Sequence, residues 1–202
     1  MVSAGYYTSS GILINSNLYA WGYNAFGQVG DGTIVDKSSP VNVGLSFAYE
    51  TSFLPIASSG FGNMFYVLGG NPASYNLYAW GVNTSGQLGL ALGSVQYSPT
   101  NAIDLGVVPF VGVLDSWKAI SSGGSHTVAI RSSDSSLWAW GYNTSGQLGD
   151  GTVTQRNSPV KIGSSSWSMV SGGSNHTVAI DVTGALYTWG YNNNGQLGDG
   201  IS

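Results

Sequence analysis

Cysteine is missing from this chain altogether, which excludes disulfides, thiolate metal sites and a cysteine nucleophile. Charge is nearly missing as well. Asp, Glu, Lys and Arg make up 7% of the residues, against roughly a quarter in an ordinary soluble domain. The five basic residues, Lys37, Lys118, Arg131, Arg156 and Lys161, are scattered along the chain, and the net charge is −4. Nucleic-acid binders concentrate Lys and Arg on one face to displace counterions, so no nucleic-acid partner is expected. Glu50 is the only glutamate, which leaves the carboxylate pair of glycoside chemistry unsupported. No G-x-S-x-G elbow is present to build a Ser-His-acid triad. Every apolar run is interrupted within a few residues, so no membrane insertion is expected. The opening MVSAGYYTSSGILIN has neither the basic start nor the continuous apolar core of a secretory signal.

What the chain does contain is Ser, Thr, Asn and 31 glycines, set among 42% hydrophobic residues. At 202 residues it is long enough to bury a sizeable core. Uncharged turns between short apolar runs read as an all-β protein.

The chain repeats itself. Trp-Gly pairs begin at Trp21, Trp80, Trp140 and Trp189, separated by 59, 60 and 49 residues. An Asn follows each Trp by three positions (Asn24, Asn83, Asn143, Asn192), and a Gly-Gln pair follows at a fixed offset. The resulting loops read GYNAFGQVGDGT, GVNTSGQLGLAL, GYNTSGQLGDGT and GYNNNGQLGDGI. Before each Trp-Gly lies an alternating pair of segments, clearest as WKAISSGGSHTVAI at 117–130 and WSMVSGGSNHTVAI at 167–180. Period-2 alternation in HTVAI and LYAWG predicts strands half buried between two layers, and RSSDSS is turn chemistry. After each of the first three loops comes an extended segment with Pro near its start, as in SSPVNVGL and NSPVKIGS, which suits a strand beginning or an edge. Four short strands per unit is the arithmetic of a β-propeller blade. The units are expected at about 1–52, 53–116, 117–166 and 167–202, with the last incomplete.

The pattern LYxWGxNxxGQLGDGT…SPV…W..(I/V)SxGxxHTVAI resembles the repeat of the regulator of chromosome condensation family over essentially the whole chain. The resemblance implies an RCC1-like β-propeller, here an arc of between three and four blades of four antiparallel strands. Type members have seven blades, so self-association, a larger assembly or a longer chain is expected to complete the ring. Relatives with this repeat include a nucleotide exchange factor for a small GTPase, a plant ultraviolet-B photoreceptor and a secreted β-lactamase inhibitor. The photoreceptor's clusters of Trp with Arg after the glycine pair are missing, since the segments here read GGSHT and GGSNHT. The acidic balance and the absence of an obvious projecting wedge argue against nucleotide exchange.

Each candidate site has a structural explanation. The glycine-rich loop lacks the following helix and the Lys of a phosphate cradle, and so is expected to be a turn in which Gln ties loop to blade. Asp31, Asp150 and Asp199 recur singly, as in Asx turns, without the spacing of a calcium loop. His126 and His176 hold equivalent positions one unit apart, as hydrogen-bonded scaffold groups. No catalytic, cofactor or metal residue is assigned. The insertions at 47–55, 70–76 and 106–115 carry aromatics the scaffold does not require, and loops on rigid repeats carry binding. Phe47, Tyr49, Phe53, Tyr75 and Phe110 are therefore the expected contacts to other proteins. The composition suggests a non-catalytic interaction or structural module of a virion or cell surface.

Overall fold

A computed structural model describes residues 2–13, 17–46, 56–58, 64–71, 74–90, 95–101 and 117–200. Among them every helix or strand is a β-strand. The first blade is an antiparallel sheet in simple chain order: β1 (Val2–Ala4), β2 (Thr8–Ile12), β3 (Asn17–Gly22) and β4 (Lys37–Ser46). The second repeats it with β5 (Ile56–Ser58), β6 (Met64–Asn71), β7 (Ser74–Gly81) and β8 (Gln96–Asn101). The third begins with β9 (Trp117–Ser122), β10 (His126–Arg131) and β11 (Ser136–Gly141). Its outer strand is the first part of β12 (Arg156–Gly172), a 17-residue strand that continues into the fourth blade. There its second part pairs with β13 (His176–Asp181), which pairs with β14 (Leu186–Gly190). The extended segment after one loop and the first strand of the next unit are thus a single strand.

The first strands of successive blades adjoin, β1 beside β5, β5 beside β9 and β9 beside β12, forming the inner rim of a propeller arc. Pro40 and Pro99 stand in β4 and β8, each the last strand of its sheet, where a missing N–H breaks no ladder on the open side.

The alternation read from the sequence gives each blade two different faces. In the third blade Val128 lies opposite Ala139 and Ile130 opposite Leu137, while Thr127 lies opposite Trp140 and Ala129 opposite Trp138. Successive side chains on a strand point to opposite sides. Val128, Ile130, Leu137 and Ala139 therefore face forward, packing with Leu148 and Ile162 against Trp167 and Ala179 of the next blade. Trp138 and Trp140 face backward with Trp117, at ring separations of 6.3 and 5.7 Å from it. At the first junction Leu18, Ala20, Val29 and Val43 of the first blade meet Trp80 of the second. An aliphatic front thus meets an aromatic back at each of these junctions. Each fully buried Leu, Ile or Val contributes about 1.5–3 kcal/mol.

Candidate interaction site: the glycine-rich loops and the exposed aromatics

Each glycine-rich loop is built around one asparagine, fully buried in the first three (Asn24, Asn83, Asn143) and partly exposed in the fourth (Asn192). Asn143 Oδ1 accepts from the Leu148 N–H (3.0 Å), while its Nδ2 donates to the carbonyls of Thr152 (3.1 Å) and Thr154 (3.0 Å). Asn24 does the same with Val29, Thr33 and Val35. One side chain thereby holds both arms of the turn. Gln147 Oε1 accepts from the N–H of Ser145, two residues back (2.9 Å), and Gln28, Gln87 and Gln196 repeat that bond. The glutamine side chain therefore shapes its own loop.

Asp150 closes an Asx turn, accepting from the N–H and hydroxyl of Thr152 at 3.0 and 2.7 Å. Its second oxygen pairs with Arg156 at 2.7 Å, as Asp31 pairs with Lys37 at 2.8 Å. Burial raises the pKa of both carboxyls, but hydrogen bonds from Thr152 and Arg156, or Lys37 and Thr33, outweigh it and hold them below the usual value. These oxygens are taken up by donors of the protein itself. Among the described residues no cluster of three or more His, Asp or Glu could hold a metal ion.

The loop's outward business is with the next blade, through the glutamine's backbone carbonyl. Trp80 Nε1 donates to Gln28 O and Trp189 Nε1 to Gln147 O, both at 3.0 Å. Thr127 Oγ1 donates to Gln87 O (2.9 Å) and Thr177 Oγ1 to Gln147 O (2.8 Å). The glycine two residues after each Gln gives the indole its seat. A Cβ on Gly30, Gly89 or Gly149 would lie 2.6, 2.9 or 2.6 Å from Nε1 of Trp80, Trp140 or Trp189. Tryptophan, glutamine carbonyl and bare glycine together form a lock between blades.

His126 belongs to the same junction. Its Nε2 lies 2.9 Å from Thr177 Oγ1. Because that hydroxyl gives its single proton to the Gln147 carbonyl, Nε2 must carry the imidazole proton and donate. Burial, with a smaller effect from His176, lowers the His126 pKa to about 4, so the ring is neutral at pH 7.

Of the residues expected to bind partners, Phe47, Tyr49, Phe53 and Phe110 lie outside the described residues. Tyr75 is in β7, opposite Gly70. The structure adds an aromatic series that sequence reasoning missed. Tyr6, Tyr7, Tyr23 and Phe26 follow one another edge to face, at centroid separations of 4.3, 6.0 and 6.3 Å. They are 61, 63, 38 and 44% exposed. The β2–β3 and β10–β11 registers equate Tyr6 with Gly124, Tyr7 with Ser125 and Tyr23 with Tyr142, and the loops equate Phe26 with Ser145. Three of the four aromatics thus stand where the third blade carries Gly or Ser, a departure visible on aligning the units.

Sheets in simple order, joined front to back by repeated tryptophan locks, define a repeat β-propeller. The repeat described as "Regulator of chromosome condensation (RCC1) repeat" matches residues 15–67, 76–130 and 134–180, and the chain belongs to that family. The Ultraviolet-B receptor UVR8 of Arabidopsis thaliana is 32% identical over 161 residues, which are 79% of this chain and 33% of the receptor. The probable E3 ubiquitin-protein ligase HERC6 of Homo sapiens is 29% identical, over 78% of this chain and 14% of the ligase. The chain thus spans a third or less of these relatives. Among solved structures, Prp20p of Saccharomyces cerevisiae shares the fold at a TM-score of 0.82 and 21% identity, over 100% of this chain and 47% of Prp20p. The C-terminal domain of gp131 from bacteriophage phiKZ aligns at a TM-score of 0.53 and 13% identity, over 97% of this chain and 56% of that one. Among the described residues no helix is long and apolar enough to cross a membrane.

Proposed function

We infer that this chain is a non-catalytic protein-interaction module that presents adaptable side chains on a rigid propeller. The observation that carries this reading is the exposed series Tyr6, Tyr7, Tyr23 and Phe26. Exposed aromatics set close together mark binding surfaces, and tyrosine and phenylalanine give large contact area at small entropic cost. The insertion residues Phe47, Tyr49, Phe53 and Phe110, with Tyr75 of β7, would extend the surface. Supporting the class of partner, Prp20p has binding properties to Gsp1p and histones. The setting we propose is a virion or cell surface. A charged fraction of 7% in a Ser-, Thr- and Gly-rich chain supports it, as does the occurrence of the fold in a bacteriophage protein.

The test exchanges the aromatics for residues that other blades carry at the same positions. A Tyr6→Gly, Tyr7→Ser, Phe26→Ser variant keeps the scaffold unchanged. Immobilised wild-type chain is expected to retain a protein of its source organism, identified by cross-linking mass spectrometry. The triple variant should bind that protein at least about tenfold more weakly, a loss of about 1.4 kcal/mol. Equal retention by the two chains, or no protein retained by either, contradicts the reading.

A further inference from the structure

Three of the five basic residues, scattered in the sequence, meet at one end of the third blade. Lys118 of β9, Arg131 of β10 and Lys161 of β12 converge on the turn at 132–135 that joins β10 to β11. Lys118 Nζ donates to Ser135 Oγ at 2.7 Å, Lys161 Nζ lies 3.8 Å from Asp134 Oδ2, and the Arg131 guanidinium carbon is 5.9 Å from the centroid of the Trp138 ring. The aromatic series is level with Ser125 and Tyr142, at the start of β10, whereas this turn follows its end. The two surfaces therefore occupy opposite edges of the sheets. Lys37 and Arg156, the other two basic residues, are paired with Asp31 and Asp150. Lys118 is exposed, and its partner among the described residues is a neutral hydroxyl.

The turn is held rigidly. The Trp167 N–H donates to the Ser135 carbonyl at 2.8 Å. Asp134 Oδ1 accepts from the N–H and hydroxyl of Ser136 at 2.9 and 2.6 Å, and Ser136 Oγ accepts from Trp138 Nε1 at 2.8 Å. Ser135 has a φ of 59°, the one non-glycine residue in the left-handed region among those described. The fourth blade closes the corresponding turn with Gly184, which takes a φ of 91° without strain. A strained residue kept where glycine would serve points to a use for its side chain. Here that use is the hydroxyl, which accepts from Lys118 and keeps its own proton to donate beside the ammonium.

We propose that this turn binds an acidic segment of a partner polypeptide, one carboxylate taken by Lys118 and Ser135 and another by Lys161. Charge-assisted bonds from ammonium and hydroxyl donors suit an oxyanion, and Asp134 selects among oxyanions. Hydrogen bonds from Ser136, helped by the charges of Arg131 and Lys161, hold its carboxyl below the usual value, so it is ionised at neutral pH. A phosphate dianion set between the lysines would meet that fixed charge at close range, whereas single carboxylates spaced along a polypeptide flank it. The site lies away from the exposed aromatics and is tested with a defined probe, so it stands or fails without them.

Titration of the nitrogen-15-labelled 202-residue chain with a hexaglutamate peptide at low ionic strength supplies the test. Saturable shifts are expected at the Ser135 and Ser136 amides and the Trp138 indole N–H, weakening as salt is added. Hexaglutamine should cause none, and inorganic phosphate should bind more weakly than hexaglutamate. Lys118→Met combined with Lys161→Met should weaken hexaglutamate binding about tenfold. Ser135→Gly keeps both lysines and separates binding from folding. It should raise the urea midpoint by relieving the strained φ, yet weaken hexaglutamate binding about threefold. Shifts absent from this turn, equal shifts with hexaglutamine, tighter binding of phosphate, or unchanged binding by either variant overturns the proposal.

Discussion

Replacing Trp140 by alanine is expected to destabilise the chain by about 3–5 kcal/mol, the range for truncating a large buried aromatic. The residue is 0% exposed. Its ring lies 5.7 Å from that of Trp117 and presses on Gly89 of the preceding loop. Truncation would open a cavity at a closely packed junction. Trp21 holds the same register position but is partly exposed, so Trp21→Ala should cost clearly less. Urea denaturation of the two variants at low concentration checks this. Equal losses would mean that the tryptophans act within their own blades and not across the junctions.

Stability is expected to fall as pH drops from about 6.5 towards 4. His126 has an ordinary pKa of 6.5 when unfolded and about 4 when folded. Between those values the unfolded chain binds a proton that the folded chain refuses, so unfolding gains free energy as acid is added. Above pH 6.5 both states are neutral and the effect vanishes; below about 4 both are protonated and the loss is complete. That separation corresponds to a loss on the order of 3 kcal/mol. Protonation would place a charge on a ring packed against Gly123 and facing Thr177 and His176 of the next blade. The carboxyls of Asp31 and Asp150 are held below 3.8, and their contribution is lost only at lower pH. Urea midpoints at pH 7, 5.5 and 4.5 measure the slope. His126→Met, which introduces the residue of the second blade (Met64) at this position, should flatten it, and an unchanged slope would assign it elsewhere.

The fold was legible because its two periods are written in the residues themselves. HTVAI and LYAWG alternate aliphatic with Thr and Trp, and that alternation is the division into front and back faces. The recurrence of Trp-Gly at intervals of 59, 60 and 49 residues marks one lock per blade. Partnership across the junction was less legible. The Gln side chain was expected to tie loop to blade, yet it turns inward to its own loop while the backbone carbonyl reaches the next blade. A carbonyl is common to every residue, so no sequence letter reports which one is used. The continuity of β12 was hidden for a similar reason, since the turn-like GSSS at 163–166 is accommodated by irregularities in the pairing. Tyr6 and Tyr7 lie 16 or more positions from Tyr23 and Phe26. The pairing of β2 with β3 and the bond from the Tyr23 N–H to the Tyr7 carbonyl, at 3.0 Å, bring the two pairs together.

The central claim is that the glycine-rich loops are seats for the next blade's tryptophan. It is tested most directly by comparing Gly149→Ala with Gly198→Ala. Both glycines have positive φ, 75° and 68°, so a methyl group at either should cost roughly 1–2 kcal/mol in backbone strain. Only Gly149 carries an indole, 2.6 Å from the added Cβ, and Gly198 faces open space. Gly149→Ala should therefore exceed Gly198→Ala by a further 1–3 kcal/mol or so, the cost of overpacking. Equal losses from the two substitutions would show that these glycines serve backbone conformation alone, and would contradict the lock.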